Sequence, residues 1–350
     1  DGKTNVTVDA SAVTKITGSD TQVLAALTAD TATTLNIDTD FETDVSGDVS
    51  VANANTIVLA TTGQVDFTGT ITDSMASMLN GDGDGLSTAF AAVTNGDASS
   101  DGDGGVAVTV NAGDLTVAKL NLIKAASTGT ITASISGTAN ALTALNTVAT
   151  DAITMTVDAG TVTAADLATI DGKTSVTVDA SAVTKITGSD TEVLAALTAD
   201  TAATLVIDTD FDTDVTGDLT VANAKIIAEA TSGTVDFTGT ITDDADNFAA
   251  TADGQIKADF TAVRDAGGDG AVNIVVNDAV TAAQGATIAG ATTGTVDFSL
   301  GLSDTMANLL NDGGTAVHAN LTAAANADGD PDVNVTVGAG DLTVTKLNLI

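Results

Sequence analysis

A β-rich repeat protein, built as a parallel solenoid-like stack with short helices on its periphery, is the fold class this sequence predicts. Three observations lead there. Segment 1–30, DGKTNVTVDASAVTKITGSDTQVLAALTAD, returns almost unchanged at 171–200, and the likeness runs on to Asp73 and Asp243. Short alternating runs such as VAVTVNA and ITMTVDA have the period of two expected of strands. Between them lie short stretches with Leu and Ile at helical spacing, and strand–helix alternation favours parallel pairing because each crossover returns the chain to the same edge.

The repeat has an inner period. Segments resembling DLTVAKLNLIKAASTGT start near positions 48, 114, 161, 218, 279 and 341, which divides residues 1–350 into one array of about six units, with 1–73 and 171–243 as near-identical copies. Each unit reads as an alternating strand, a helical stretch such as TVAKLNLIKAAS, a glycine, a second strand such as GTVDFTGTI or GTITASISG, and a second short helical stretch such as DSMASMLN. In four segments a glycine follows the start by 15 residues (Gly63, Gly129, Gly233, Gly294), while the segment at Thr161 reaches Gly172 after 11. These glycines read as helix C-terminal residues. Asp73, Thr138 and Asp304 stand where helix N-caps belong. No unit can bury both faces alone, so stacking is expected to share one core. Both ends cut through a unit, as in an excerpt of a longer repeat region. Tandem small β-sandwich domains are the alternative architecture, weakened by the scarcity of Asn-Gly and Asp-Gly hairpin turns.

Composition narrows the function classes. Hydrophobic residues make up 43% of the chain, yet there is no Trp or Tyr and only eight Phe, so the core must be aliphatic. Phe41, Phe67, Phe211 and Phe237 alternate inward. With 47 acidic residues against 10 basic ones, the net charge of −37 repels nucleic acid and anionic membranes and attracts cations. The absence of Cys excludes disulfides, thiolate metal sites and cysteine nucleophiles. No apolar run is long enough to span a membrane, so no membrane insertion is expected. There is one histidine, His318, read as a surface or loop residue, and neither a GxSxG elbow, a Walker loop nor a dinucleotide fingerprint occurs. The chain is expected not to be an enzyme. Without Trp or Tyr, the stacking platforms of a glycan-active site are missing as well.

Two acidic stretches are candidate metal sites. In LVIDTDFDTDVTGD, residues 205–218, Asp208, Asp210, Asp212 and Asp214 alternate with apolar residues and Thr. On a single strand they would share one face at about 6.6 Å spacing. That face is either simply solvated or a Ca²⁺ site. General acid–base work is disfavoured, because it needs carboxylates in unlike environments. In NGDGDGLSTAFA, residues 80–91, Asn80, Asp82 and Asp84 take positions 1, 3 and 5 of a calcium loop, with Gly85 at position 6, but position 12 is Ala91 rather than a bidentate Glu. The alternative is a plain acidic loop. The stretches 95–105 and 326–334 are similar and weaker.

TVDAGTVTAADLATIDGKTSVTV and GTVDFTGTITDDADNF resemble the repeat regions of giant bacterial surface proteins, the surface-layer-like and adhesin-like extracellular proteins of cyanobacteria and marine bacteria. The resemblance covers nearly the whole chain. It implies an extracellular or cell-surface location, a structural or adhesive role, and often calcium dependence, although the glycine-rich calcium nonapeptide is not present. The expected function is therefore a non-catalytic, self-assembling structural segment of an extracellular filament, sheath or surface layer. The alternative is the stalk of a large calcium-dependent adhesin. Expected partners are further copies of the chain and a cell-surface glycan, and the one expected cofactor is Ca²⁺.

Overall fold

The computed structural model describes the chain except for residues 1, 2, 4, 96–101, 251–254, 267–270, 329–332 and 341. Asp1 and the unit start at Asp341 therefore lie outside the described residues. The chain divides into two compact units, Asp1–Asp158 with Thr169–Asp179, and Ala159–Ala168 with Ala180–Ile350.

The fold class differs from the β-rich solenoid expected above. Among the described residues 35% are helical and 29% are in strands, with fifteen helices and no closed solenoid or barrel. The protein is mixed α/β. The tandem-sandwich alternative fails too, since a sandwich is built of antiparallel strands, and thirteen ladders between named strands of the described residues are parallel. The reason lies in alanine. Overall richness in Val, Ile and Thr points to strands, but the Ala- and Leu-rich stretches between them have high helix propensity and carry good caps. Ser19 and Gln22 form a reciprocal capping box for the helix Asp20–Thr31, and Ser189 and Glu192 do the same for Asp190–Thr201. Thr281 and Gln284 repeat the device at Ala282–Ala291.

In the first unit, Lys15–Ser19, Glu42–Ser46 and Val65–Phe67 form one parallel sheet. A second ladder runs through Thr70–Ser74, Ala107–Asn111, Ile131–Gly137 and Ala152–Val157, where Thr156 pairs with Asp179. In the second unit, Gly160–Thr163, Val183–Ser189, Asp212–Thr216 and Val235–Phe237 pair in that order, and Thr240–Asp243, Asn273–Val276 and Val296–Phe298 follow. Each strand pairs with one between 20 residues (Thr132 with Ala152) and 37 residues (Thr70 with Ala107) further along. The intervening residues form the crossover, usually helical, that parallel pairing demands.

The core is aliphatic as composition requires, and all eight phenylalanines are buried within it. Phe248 and Phe260 meet edge to face, centroids 5.0 Å apart at 84°.

The glycines 15 residues into each segment do not cap helices. The helix Val221–Ala230 ends on Thr231 in extended conformation, and Gly233 has no left-handed φ. Instead the Thr231 hydroxyl donates to the Phe211 carbonyl and accepts the Gly233 N–H at 3.0 Å. This draws Gly233 against the Phe211 backbone, where a Cβ would overlap the carbonyl. Thr61 with Gly63, Ser127 with Gly129 and Thr292 with Gly294 repeat the arrangement on the carbonyls of Phe41, Val106 and Val272. In the segment at Thr161 the counterpart is not Gly172. Thr174 donates to the Ile153 carbonyl and accepts the Val176 N–H, so the 15-residue offset holds with valine in the glycine position.

Gly233→Ala is therefore expected to destabilise the second unit by about 1–3 kcal/mol, the range of overpacking a filled site. Chemical denaturation of the full chain reads this as a lowered midpoint, and an unchanged midpoint would show that the backbone there has room to move.

Candidate functional site

The aspartate stretch 205–218 is not one strand. Leu205–Ile207 ends, the chain turns at Thr209 and Asp210, and a new strand runs over Asp212–Thr216. Ile207, Phe211, Thr213 and Val215 face inward, 7%, 1%, 0% and 0% exposed, so the alternation survives the turn. The four acids do not converge. Asp208 accepts the N–H of Thr209 at 2.7 Å, and Asp210 lies in the turn. Asp212 accepts both the N–H and the hydroxyl of Thr234, at 2.8 and 2.7 Å. Asp214 pairs with the Lys185 ammonium at 2.7 Å.

A lysine missed by the sequence reading organises this outer face. Lys185 stands in register with Asp212, and Asp214 is in register with Asp236 on the next strand. Two carboxylates side by side repel, and the ammonium on the strand flanking Asp214 offsets this. The hydrogen bond to Asp214 holds the Lys185 ammonium above its ordinary value of 10.5, helped by the nearby charges of Asp214, Asp212 and Asp236. The first copy repeats the arrangement with Lys15 on Asp44 at 2.7 Å and Asp66 beside it. The signal was available: a lysine sits at the same offset from the acids in both copies.

The loop from Asn80 is closed by its own side chains. Leu79 and Leu86 form an antiparallel bridge, the Asn80 amide donates to Asp84 at 2.9 Å, and its oxygen accepts the Asp84 N–H at 3.2 Å. Asp82 points to solvent, and Ala91 falls within the helix Thr88–Val93, capped by Ser87. The oxygen that a cation would need from Asn80 is thus engaged by backbone. Leu310 and Val317 bridge in the same way around Asn311, whose oxygen accepts the N–H of Thr315 at 2.9 Å with no aspartate involved. The loop shape therefore does not depend on acidic residues. Of the two weaker stretches, 96–101 and 329–332 lie outside the described residues. Among the described residues no group of three or more His, Asp or Glu side chains could hold a metal ion.

His318 takes the position of Ser87 in this second loop. It is the N-cap of the helix Ala319–Ala327, its Nδ1 accepting the Asn320 N–H at 3.1 Å.

Other acids close the structure rather than open a site. Asp73 and Asp304 are not N-caps, those roles falling to Ser74 and Thr305, while Thr138 caps Ala139–Leu142 as expected. Asp73 reaches back 22 residues to accept the first N–H of the helix Val51–Val58, at 3.0 Å. Asp243 does the same for Val221 at 3.0 Å and Asp304 for Ala282 at 3.1 Å, each 22 residues back. A carboxylate here serves both an orphan donor and the helix dipole. Asp151, fully buried, accepts the N–H groups of Ile131 and Val148 at 2.8 and 2.9 Å and pairs with Lys124 at 3.0 Å.

Polar residues line two of the clefts. One of about 350 Å³ in the second unit is lined by Asp243, Asp246, Asn247, Lys257 and Asp259. Asp243 is held by Val221, Asp246 accepts from the buried Gln284 at 2.9 Å, and Asp259 is paired with Lys225 at 2.7 Å. One of about 440 Å³ in the first unit is lined by Asp114 and the hydroxyls of Thr116, Ser134, Ser136, Thr154 and Thr156. No described helix is long and apolar enough to cross a membrane. Comparison with protein-family models, curated proteins and solved structures finds no match for this chain.

The Thr234 hydroxyl and N–H hold the Asp212 carboxyl below its ordinary value of 3.8, and Thr240 does the same for Asp218. A depressed carboxyl adds stability above the unfolded-state value and loses it as pH falls through the lower folded value. Acid also relieves the repulsion of a chain at −37, so global melting mixes opposing effects. Carboxyl NMR titration separates them. Thr234→Val is expected to raise the Asp212 midpoint toward 3.8 and leave that of Asp218 in place. Equal movement of both would refute the local cause.

Proposed function

We propose that this chain is a self-assembling structural repeat segment of an extracellular filament, sheath or surface layer, without catalytic activity. One observation carries the reading: a set of polar residues that recurs along the chain is engaged in holding backbone. Thr61, Ser127, Thr174, Thr231 and Thr292 fasten one segment to the carbonyl of another, and Asp73, Asp243 and Asp304 fasten helix N-termini. In an enzyme, the recurring or clustered polar groups would instead converge on an empty space with unlike environments. Duplication of such residues keeps a framework intact and multiplies surface.

The charge supports the same reading. The acidic exterior of a chain with 47 acids keeps a protein rich in sheet edges from pairing indiscriminately, and salt or divalent cations lower that barrier. Export to the cell surface fits the lack of cysteine and the resemblance drawn above.

Negative-stain electron microscopy of the purified chain, across a salt series and with added Ca²⁺ or EDTA, tests the proposal. Regular filaments or lattices that form as salt rises are expected. Isolated particles under every condition would contradict self-assembly, and assembly only with Ca²⁺ would favour the calcium-dependent stalk.

A further inference from the structure

The loop from Asn80 holds a reactive arrangement that the framework does not use. The dipeptide Asn-Gly occurs twice in the chain, at Asn80-Gly81 and at Asn95-Gly96, and Gly96 lies outside the described residues. An asparagine side chain and the amide nitrogen of the next residue are one bond short of a closed ring. If that nitrogen adds to the side-chain carbonyl carbon, the two form a cyclic imide. Glycine in the second place removes the side chain that would crowd the attack. Asn80 and Gly81 are both exposed, so water reaches the ring.

The folded loop keeps this path open. Among the described residues the Gly81 N–H donates to no group, whereas the amides around it are engaged. That of Asn80 donates to the Gly85 carbonyl at 2.9 Å, and that of Gly83 to the Asn80 carbonyl at 3.0 Å. No atom within 4 Å stands where a Cβ on Gly81 would go. The Asp84 N–H, 3.2 Å from the Asn80 side-chain oxygen, donates to the atom that gains negative charge as the nitrogen adds. The bridge between Leu79 and Leu86 holds the two ends of the loop together. The similar loop at Asn311 lacks the path, because Asn311 is followed by Asp312, whose side chain crowds the nitrogen.

We propose that Asn80 is a site of self-modification, losing its amide through Gly81 with water as the co-reactant. The Gly81 nitrogen bonds to Cγ of Asn80, the Cγ–Nδ2 bond breaks, and Nδ2 leaves as ammonia with the proton that the Gly81 nitrogen gives up. Water then opens the imide at either carbonyl. Opening at Cγ leaves an ordinary aspartate at position 80. Opening at the main-chain carbonyl leaves an isoaspartate, with the chain running through the side-chain carbon. Either product loses the amide that donates to Asp84 at 2.9 Å and gains a carboxylate beside that of Asp84. A hydrogen bond becomes a repulsion, and the loop loosens between its bridged ends.

The full chain is incubated warm in neutral buffer for several weeks, native in one series and fully denatured in another, and peptide mapping by mass spectrometry follows position 80. The expected result is a mixture of aspartate and isoaspartate in the native chain, with the Asn311 amide retained and most of the conversion lost in Gly81→Ala. That variant keeps the fold, because Gly81 has no left-handed φ and its Cβ would meet nothing. Conversion of Asn80 only in the denatured series would overturn the proposal, since the folded loop would then protect the amide. So would equal conversion of Asn311, aspartate without isoaspartate, or undiminished conversion in Gly81→Ala. Hydrogen exchange on Asn80→Asp reads the consequence for the loop. The Gly83 amide is expected to exchange faster than in the unmodified chain, and an unchanged rate would overturn the loosening.

Discussion

The structure depends on side chains that hydrogen-bond to the backbone of a neighbouring segment. A parallel strand–helix array leaves two kinds of group unsatisfied at every crossover: the first N–H groups of each helix and the carbonyls where strands begin. Asp73, Asp243 and Asp304 supply acceptors for the first kind, each 22 residues further along than the amide it serves. The hydroxyls of Thr61, Ser127, Thr174, Thr231 and Thr292 serve the second kind and at the same time fix the entry of the next strand. A bond of this type contributes only about 0.5–1.5 kcal/mol net, but leaving the buried group unpaired costs about 1–3 kcal/mol. Loss of the partner is thus the larger effect, which is why the same residue types return in copy after copy.

This constraint explains the composition. Thr and Ser are short, carry one donor and two acceptor sites, and reach an adjacent backbone without a long flexible stem. Asp does the same for amides. The core is filled by aliphatic side chains with eight buried Phe among them. The acids that remain outside are spread along the surface, each with a local partner or open to water, and Lys15 and Lys185 relieve the places where carboxylates stand in register.

Much of this was legible in the sequence. Parallel pairing followed from strand–helix alternation, the inward direction of Phe211 and Val215 from their period, and Thr138 as a cap from its position. The helical share was underestimated, because β-branched residues dominate the eye while Ala-rich stretches such as Asp20–Thr31 fold through a capping box that pattern alone understates. The unbroken aspartate strand was misread because alternation continues across the turn at Thr209 and Asp210, so period alone could not reveal the break. Gly233 and its equivalents were assigned to helix ends, which explains a glycine after a helix but not its fixed distance from the segment start. That distance is set by a carbonyl one crossover away. The role of Asp73 is long-range, and only its recurrence at a constant 22 residues from Val51, Val221 and Ala282 could have betrayed it.

Native-state hydrogen exchange tests the central claim most directly. The first amide of a helix ordinarily has no partner in the helix and exchanges quickly. If carboxylates from the following crossover hold them, the amides of Val51, Val221 and Ala282 will be protected to the same degree as those of the strands they adjoin. Exchange at the rate of open, solvent-facing helix ends would contradict the account.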